Sequence, residues 1–406
     1  MRKLAVLSMH TSPLAQPGAG DGGGMNVYVR ELSAALARAG VECDVYTRAD
    51  DREQPLVVSV EPGFRVHHMA AGPVAPVPKE ALPELVAPFT AAVLDRMAGR
   101  DRPDLIHANY WLSGMAGHTM KHELDVPLVC TFHTLDRVKA DADLAEQGRR
   151  AEAEAQVIGC SDAILASCTV EAAQIQELYG VEPDRIEIIA PAVDHAFFAP
   201  GNRHQARRAL GFPTRPPMLL FVGRIQPLKS LDVAVRTLAA LRSDPDAMLV
   251  VVGGPSGPGG VAEVDRIKAL VADLGLSGRV RFVPPQRHEL LSTYYRAADV
   301  CIVPSRSESF GLVALEAAAC GTPVVAAAVG GLTTLVEQGR TGYLVEGRDP
   351  ADYARCVDRI VSSHELAAGM SVAAASMARR YTWSVAGARL RRLYADLTAR
   401  QLVECR

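Results

Sequence analysis

Apolar residues fall along this chain in short unbroken runs, each ending in polar residues. "LAVLSMH" (4–10), "ECDVYTR" (42–48), "DLIHANY" (104–110), "PLVCTFHT" (127–134), "AILASC" (163–168) and "RIEIIAPAV" (185–193) read as strands. Between the first two, "NVYVRELSAALARAG" (26–40) has helical spacing, with Gly40 as the expected C-terminal stop. Continuous apolar strands separated by helices predict a parallel sheet covered on both faces. At 190–203 the text changes to "APAVDHAFFAPGNR", rich in proline and small residues, and reads as a linker.

After the linker the alternation restarts. "MLLFVGR" (218–224), "AMLVVVGG" (247–254), "VRFVPP" (280–285), "DVCIVPS" (299–305), "PVVAAA" (323–328) and "GYLVEG" (342–347) are the strands, with helical text between them. The expectation is therefore α/β, two doubly wound Rossmann-like domains facing a central cleft. The boundaries read as 1–195, 196–380 and a last helix at 381–406 that crosses back onto the first domain. In open α/β sheets ligands bind beyond the carboxyl ends of the strands. The residues to read are thus His10, the glycines at 22–24, Tyr110, His133, Thr134, Arg224, Lys229, Gly254 and the stretch 305–309.

Composition narrows the class. A net charge of −3 supplies no basic field for nucleic acid, and 5% aromatic residues supply no stacking platform for single strands. The eight cysteines are scattered without a C-x-x-C pair, mostly in apolar text, and read as buried thiols rather than disulfides or a zinc site. "MRKLAVLSMH" lacks the apolar length of a signal peptide and reads as the first strand. No apolar run approaches the ~20 residues of a membrane span. A cytoplasmic protein is expected.

Three segments carry candidate chemistry. The glycines at 22–24 precede a helix, where bare backbone N–H groups suit an anion; a plain turn is the structural alternative. Residues 11–20 separate them from the first strand, so this is not a tight dinucleotide fingerprint. "FVGRIQPLKS" (221–230) sets Arg224 at a strand end and Lys229 five residues on, a pair able to clamp a diphosphate or to lie solvated at the surface. "SESFGLVALEAAACGTPVV" (307–325) places Glu308 in a loop and Glu316 eight residues later, about two turns into a helix that starts near Phe310. A lone carboxylate in such apolar text needs a partner. His133 and Thr134 end an apolar strand, with His107 and His10 at comparable ends. No metal-ligand spacing and no nucleophile elbow is evident.

Together "GGGMNVYVRELSAALARAG", "VGRIQPLKS" and the E-x7-E segment resemble glycosyltransferase family 4, over nearly the whole chain. The resemblance implies a retaining hexosyltransferase of the GT-B fold that needs no metal or other cofactor. It implies a nucleotide-sugar donor (UDP- or GDP-linked), a small polar acceptor of small-thiol metabolism, and a homodimer. By motif, catalysis falls to Arg224, Lys229, Glu308 and His133. Donor binding falls to Gly23, Gly24, Gln286, Arg287, Ser309, Phe310, Gly311, Leu312 and Glu316. Acceptor binding falls to Asn26, Lys79, Tyr110, Thr134 and Arg150.

The chain departs from the family pattern at four places. Gln286 stands where relatives carry an arginine near the base, Ser230 where glycine is typical, Asn109 at a usually histidine-rich strand end, and Ala140 where asparagine is common. These departures would fit a paralogue of antibiotic biosynthesis taking, for example, a GDP-linked octose and a thiol-type acceptor such as ergothioneine. A nucleotide-sugar epimerase and a non-catalytic sugar-nucleotide sensor are the other readings.

Overall fold

A computed structural model describes residues 2–18, 20, 22–98, 102–140, 149–257 and 259–405. The chain divides into two compact units. The first comprises Met1–Ala15, Met25–Ala190 and Trp383–Arg406; the second comprises Gln16–Gly24 and Pro191–Thr382.

The first unit is built on strands β1 (Lys3–Leu7), β2 (Glu42–Arg48), β3 (Val57–Glu61), β4 (Phe64–Met69), β5 (Leu105–Asn109), β6 (Leu128–Thr131), β7 (Ala163–Ala166) and β8 (Ile186–Ile188). Their order is β3-β4-β2-β1-β5-β6-β7-β8. Neighbours pair in parallel except β3, which runs antiparallel to β4 at the edge. The β3–β4 hairpin was not legible in the apolar pattern, because "FRVHHM" carries two histidines. Pairing decides it: His67 Nε2 lies 2.8 Å from Asp44 Oδ1 on β2, so one polar edge of the ring is paired inside the sheet. Leu7, Ile106, Ala108, Leu112 and Leu128 are among the fully buried residues of this core. Full burial of a Leu or Ile side chain contributes about 1.5–3 kcal/mol.

The helix Trp383–Thr398 belongs to this unit. Tyr394 OH lies 2.8 Å from His107 Nδ1, whose Nε2 lies 2.8 Å from Thr131 Oγ1. Trp383 meets Tyr28 edge to face, ring centroids 6.0 Å apart. His107, a site candidate by position, is thus engaged on both ring nitrogens. Burial holds its pKa down to about 3, so it is neutral.

The second unit carries β9 (Met218–Val222), β10 (Met248–Val252), β11 (Val280–Val283), β12 (Val300–Val303), β13 (Val324–Ala327) and β14 (Gly342–Val345). The order is β11-β10-β9-β12-β13-β14, with every neighbouring pair parallel. Leu219, Phe221, Leu249, Val251, Val300 and Ile302 fill its core.

In each sheet the order reverses once, between β1 and β5 in the first and between β9 and β12 in the second. At such switch points the connections leave in opposite directions and a crevice opens at the carboxyl ends. The glycines at 22–24 and Tyr110 follow β1 and β5, and Arg224 and Glu308 follow β9 and β12. Cys43, Cys130, Cys168, Cys301 and Cys320 are buried and Cys356 half-buried, all unpaired. Against the reading of all eight as separate thiols, Cys160 and Cys405 are brought together, their Cα atoms 4.4 Å apart although 245 residues separate them in sequence.

Candidate active site

In the second unit, β9 ends at Val222 and the chain turns through Gly223 to Arg224. Lys229 closes the 3-10 turn Pro227–Lys229 that follows. Across the switch point, β12 runs into the loop that bears Glu308. Lys229 Nζ and Glu308 Oε1 form an ion pair, and Ser305 Oγ donates to the same oxygen at 2.9 Å. The two side chains are only 21% and 15% exposed, so the cation is not a solvated surface group. Arg224 Nη1 donates to Ser256 Oγ at 3.4 Å.

The glycine loop groups with this unit. A Cβ on Gly23 would stand 3.4 Å from Arg224 Nε, and one on Gly24 would stand 3.2 Å from Leu312 Cδ1. The glycines therefore let the backbone lie against the cation and the following helix start. The helix Gly24–Arg38 begins there.

The loop Ser309, Phe310, Gly311 leads into the helix Leu312–Ala319, with Gly311 at φ +100°. The helix thus starts two residues later than Phe310, and Glu316 lies one turn in, not two. Beneath the loop, Gly331 N donates to Glu308 O at 2.9 Å. A Cβ on Gly331 would fall 2.4 Å from Phe310 Cα, so only glycine fits. Phe310 packs edge to face on Tyr381 at 5.8 Å.

Glu316 has the partners its apolar surroundings demanded. Tyr295 OH donates to Oε2 at 2.7 Å and His288 Nε2 lies 2.6 Å from Oε1. Burial first, then the nearby carboxylate, holds the Tyr295 phenol well above its ordinary value, so it remains a donor. Each carboxylate oxygen keeps a second lone pair for a ligand hydroxyl. Gln286 Nε2 donates to Pro284 O at 2.9 Å, and its own carbonyl accepts from Gln16 Nε2. The Arg287 side chain is 76% exposed, with Nε 3.7 Å from Glu289 Oε2.

In the first unit, Tyr110 follows β5 at φ +75°. Its ring is the centre of a cluster. Lys79 Nζ lies 5.4 Å and Arg150 Cζ 4.9 Å from its centroid, and the His10 ring lies 4.4 Å away, tilted by 41°. Arg150 donates from Nη2 to Thr134 O (2.7 Å) and Oγ1 (2.9 Å), and from Nε to buried Glu154 at 2.8 Å. Lys79, Tyr110, Thr134 and Arg150 are therefore brought together. Asn26 donates to Thr11 Oγ1 at 2.7 Å and Ser12 O at 2.6 Å.

His133, at φ +62°, donates from Nε2 to Asn109 Oδ1 at 2.9 Å. Burial, and then the neighbouring His107, hold its pKa down to about 3, so the imidazole is neutral. The buried Asn109 Nδ2 and Tyr110 hydroxyl have no hydrogen-bond partner among the described residues. Buried polar atoms without partners are rare and point to a ligand.

Sequence reasoning missed Glu154, His288 and Tyr295, which hold Arg150 and Glu316. Glu154 stands one helical turn from Arg150, whereas His288 and Tyr295 lie 28 and 21 residues from Glu316.

Comparison with known proteins gives the class. Residues 23–192 match the glycosyl transferase 4-like domain and residues 202–377 match glycosyl transferases group 1. The chain belongs to the family 4 glycosyltransferases and is an enzyme of that type, with the GT-B fold. It is 48% identical over 393 residues to D-inositol 3-phosphate glycosyltransferase of Acidothermus cellulolyticus, covering 94% of this chain and 87% of that protein. The same enzyme of Actinosynnema mirum is 47% identical, covering 94% of each chain. Among solved structures, sucrose-phosphate synthase from Thermosynechococcus elongatus superimposes with a TM-score of 0.91 at 34% identity, covering 98% of this chain and 100% of that one. An Anabaena protein solved with UDP and glucose shares the fold, with a TM-score of 0.79 at 20% identity over 98% of this chain and 100% of that one. These relatives favour the glycosyltransferase reading over an epimerase, a sensor or an antibiotic-pathway paralogue. No helix among the described residues is long and apolar enough to cross a membrane.

Proposed function

We propose that this enzyme transfers N-acetylglucosamine from UDP-N-acetylglucosamine to D-inositol 3-phosphate, with retention, as a cytoplasmic homodimer of the mycothiol pathway. The observation that carries the acceptor is the cluster on Tyr110. Lys79 and Arg150 put two cations at one aromatic ring, beside a tyrosine hydroxyl and an asparagine amide with unfilled hydrogen-bonding capacity. That is the chemistry of a polyol bearing a phosphate. The names of the Acidothermus and Actinosynnema relatives supply the same acceptor.

In the reaction, the C1–oxygen bond to the diphosphate breaks and the acceptor hydroxyl oxygen bonds C1 on the same face. The hydroxyl proton passes to the leaving phosphate oxygen. Arg224 and Lys229 neutralise the charge that develops on the diphosphate, with backbone N–H groups at Gly23 and Gly24 and at the helix start after Gly311. Fixed donors of this kind act chiefly on the transition state. Glu316 holds the ribose, Glu308 and His133 meet the donor sugar, and Asn26 and Thr134 complete the acceptor side. Gln286 flanks the base.

Incubation with UDP-N-acetylglucosamine and inositol phosphate should release UDP and glycosylated inositol phosphate in equal amounts, with the donor's anomeric configuration by NMR. Unphosphorylated inositol should be a poor acceptor. Lys79→Ala should raise KM for inositol phosphate at least ~10-fold, a loss of one charge-assisted contact, and change kcat little. Glycosylation of a different acceptor while inositol phosphate is left untouched overturns the proposal. UDP should raise the melting temperature more than GDP, ADP or TDP, following RT ln(1 + [L]/Kd); a preference for GDP overturns the donor.

A further inference from the structure

Four ligand-type side chains converge in the first unit, away from the switch point. His118 and His122 are one turn apart on the helix Trp111–Leu124 and so share a face. Cys160 ends the helix Arg149–Cys160, and Cys405 lies in the segment after the last helix. One ligand atom from each lies within 4.8 Å of all the others. His122 Nε2 is 3.0 Å from Cys405 Sγ and 3.5 Å from Cys160 Sγ, and His118 Nε2 is 3.8 Å from Cys405 Sγ. Zinc–sulfur bonds of about 2.3 Å and zinc–nitrogen bonds of about 2.0 Å set tetrahedral ligand atoms roughly 3.3–3.8 Å apart, and the three sulfur–nitrogen distances lie around that span.

A built support surrounds them. Lys121, on the same helix, is buried and paired with Asp162 at 2.9 Å. Its Nζ donates to Cys160 O at 2.7 Å and Val403 O at 2.9 Å, the backbone beside each cysteine. Asp162 Oδ1 accepts from Val403 N at 2.7 Å. The cysteines are thus positioned by contacts that do not involve their sulfurs.

We propose that His118, His122, Cys160 and Cys405 form a tetrahedral zinc site that ties the C-terminal segment to the helix Trp111–Leu124. The two thiols lose their protons to solvent on binding, and two thiolates with one Zn²⁺ leave the ligand set neutral. The competing state is the Cys160–Cys405 disulfide, which would require an oxidant. Two facts favour metal. A disulfide has no need of two imidazole nitrogens aimed at its sulfurs. The other six cysteines are all unpaired, the usage of a reducing compartment.

The full chain, reduced and desalted, should take up one zinc per chain from zinc chloride by mass spectrometry. Cobalt in its place should give the visible bands of a tetrahedral ion and a thiolate-to-cobalt charge-transfer band. The double variant His118→Ala/His122→Ala, and separately Cys405→Ser in the exposed C-terminal segment, should lower uptake at least tenfold while circular dichroism is unchanged. Absence of stoichiometric metal in the reduced protein overturns the site. So does undiminished uptake by the histidine variant, or a quantitative Cys160–Cys405 peptide in the protein as isolated, with six free thiols.

Discussion

Lys229 is useful because it is held. Its ion pair with Glu308, itself fixed by Ser305, keeps a cation at the end of β9 in a half-buried setting. A preplaced charge costs no reorganisation when the diphosphate leaves. Lys229→Ala or Arg224→Ala should therefore lower kcat by about 10²–10³ with little change in melting temperature; near-normal turnover in either variant removes it from the mechanism. The residue after Lys229 shows the opposite economy. Ser230 sits at φ +51°, ψ +48°, a left-handed conformation that strains any residue with a Cβ. Glycine relieves that strain but loses more entropy on folding, so Ser230→Gly should stabilise by up to about 1 kcal/mol. A lower urea midpoint for the variant would contradict this.

At the scale of elements, the last helix is fastened by specific polar contacts as well as by packing. Tyr394 closes a chain of hydrogen bonds that runs through His107 to Thr131 in the heart of the first sheet. Tyr394→Phe keeps the ring and removes the partner of a buried imidazole nitrogen. Such an orphan costs about 1–3 kcal/mol. Urea unfolding of the variant should show that loss with an unchanged m-value; an unaltered midpoint would mean that the bond carries no stability. The glycine loop is the other element whose meaning is positional. It precedes a helix of the first unit yet groups with the second.

At the scale of the molecule, two buried neutral histidines link stability to pH. His107 and His133 are both held down to about 3, against 6.5 for the free group. Between those values the unfolded chain binds protons that the native state refuses. Stability is therefore complete above pH ~6.5 and falls as the pH drops toward 3. Urea midpoints should fall from pH 7.5 to pH 5, and His133→Gln should flatten the dependence. Midpoints that match at the two pH values for the wild-type chain would refute it.

The sequence by itself determined what depends on local pattern. Unbroken apolar runs between helical stretches fix parallel strands, and the polar ends of those runs mark His133, Arg224 and Glu308. The E-x7-E segment and the Arg224–Lys229 spacing carry the family. What the pattern could not contain is pairing between distant residues. Nothing near Glu316 announces His288 or Tyr295, which lie 28 and 21 residues away. The hairpin β3–β4 is hidden because its histidine is paired with an aspartate on another strand. Cys160 and Cys405 read as separate thiols because 245 residues separate them. Only the folded chain brings them to His118 and His122, because spatial proximity between remote residues is set by sheet order and helix packing, not by spacing along the sequence.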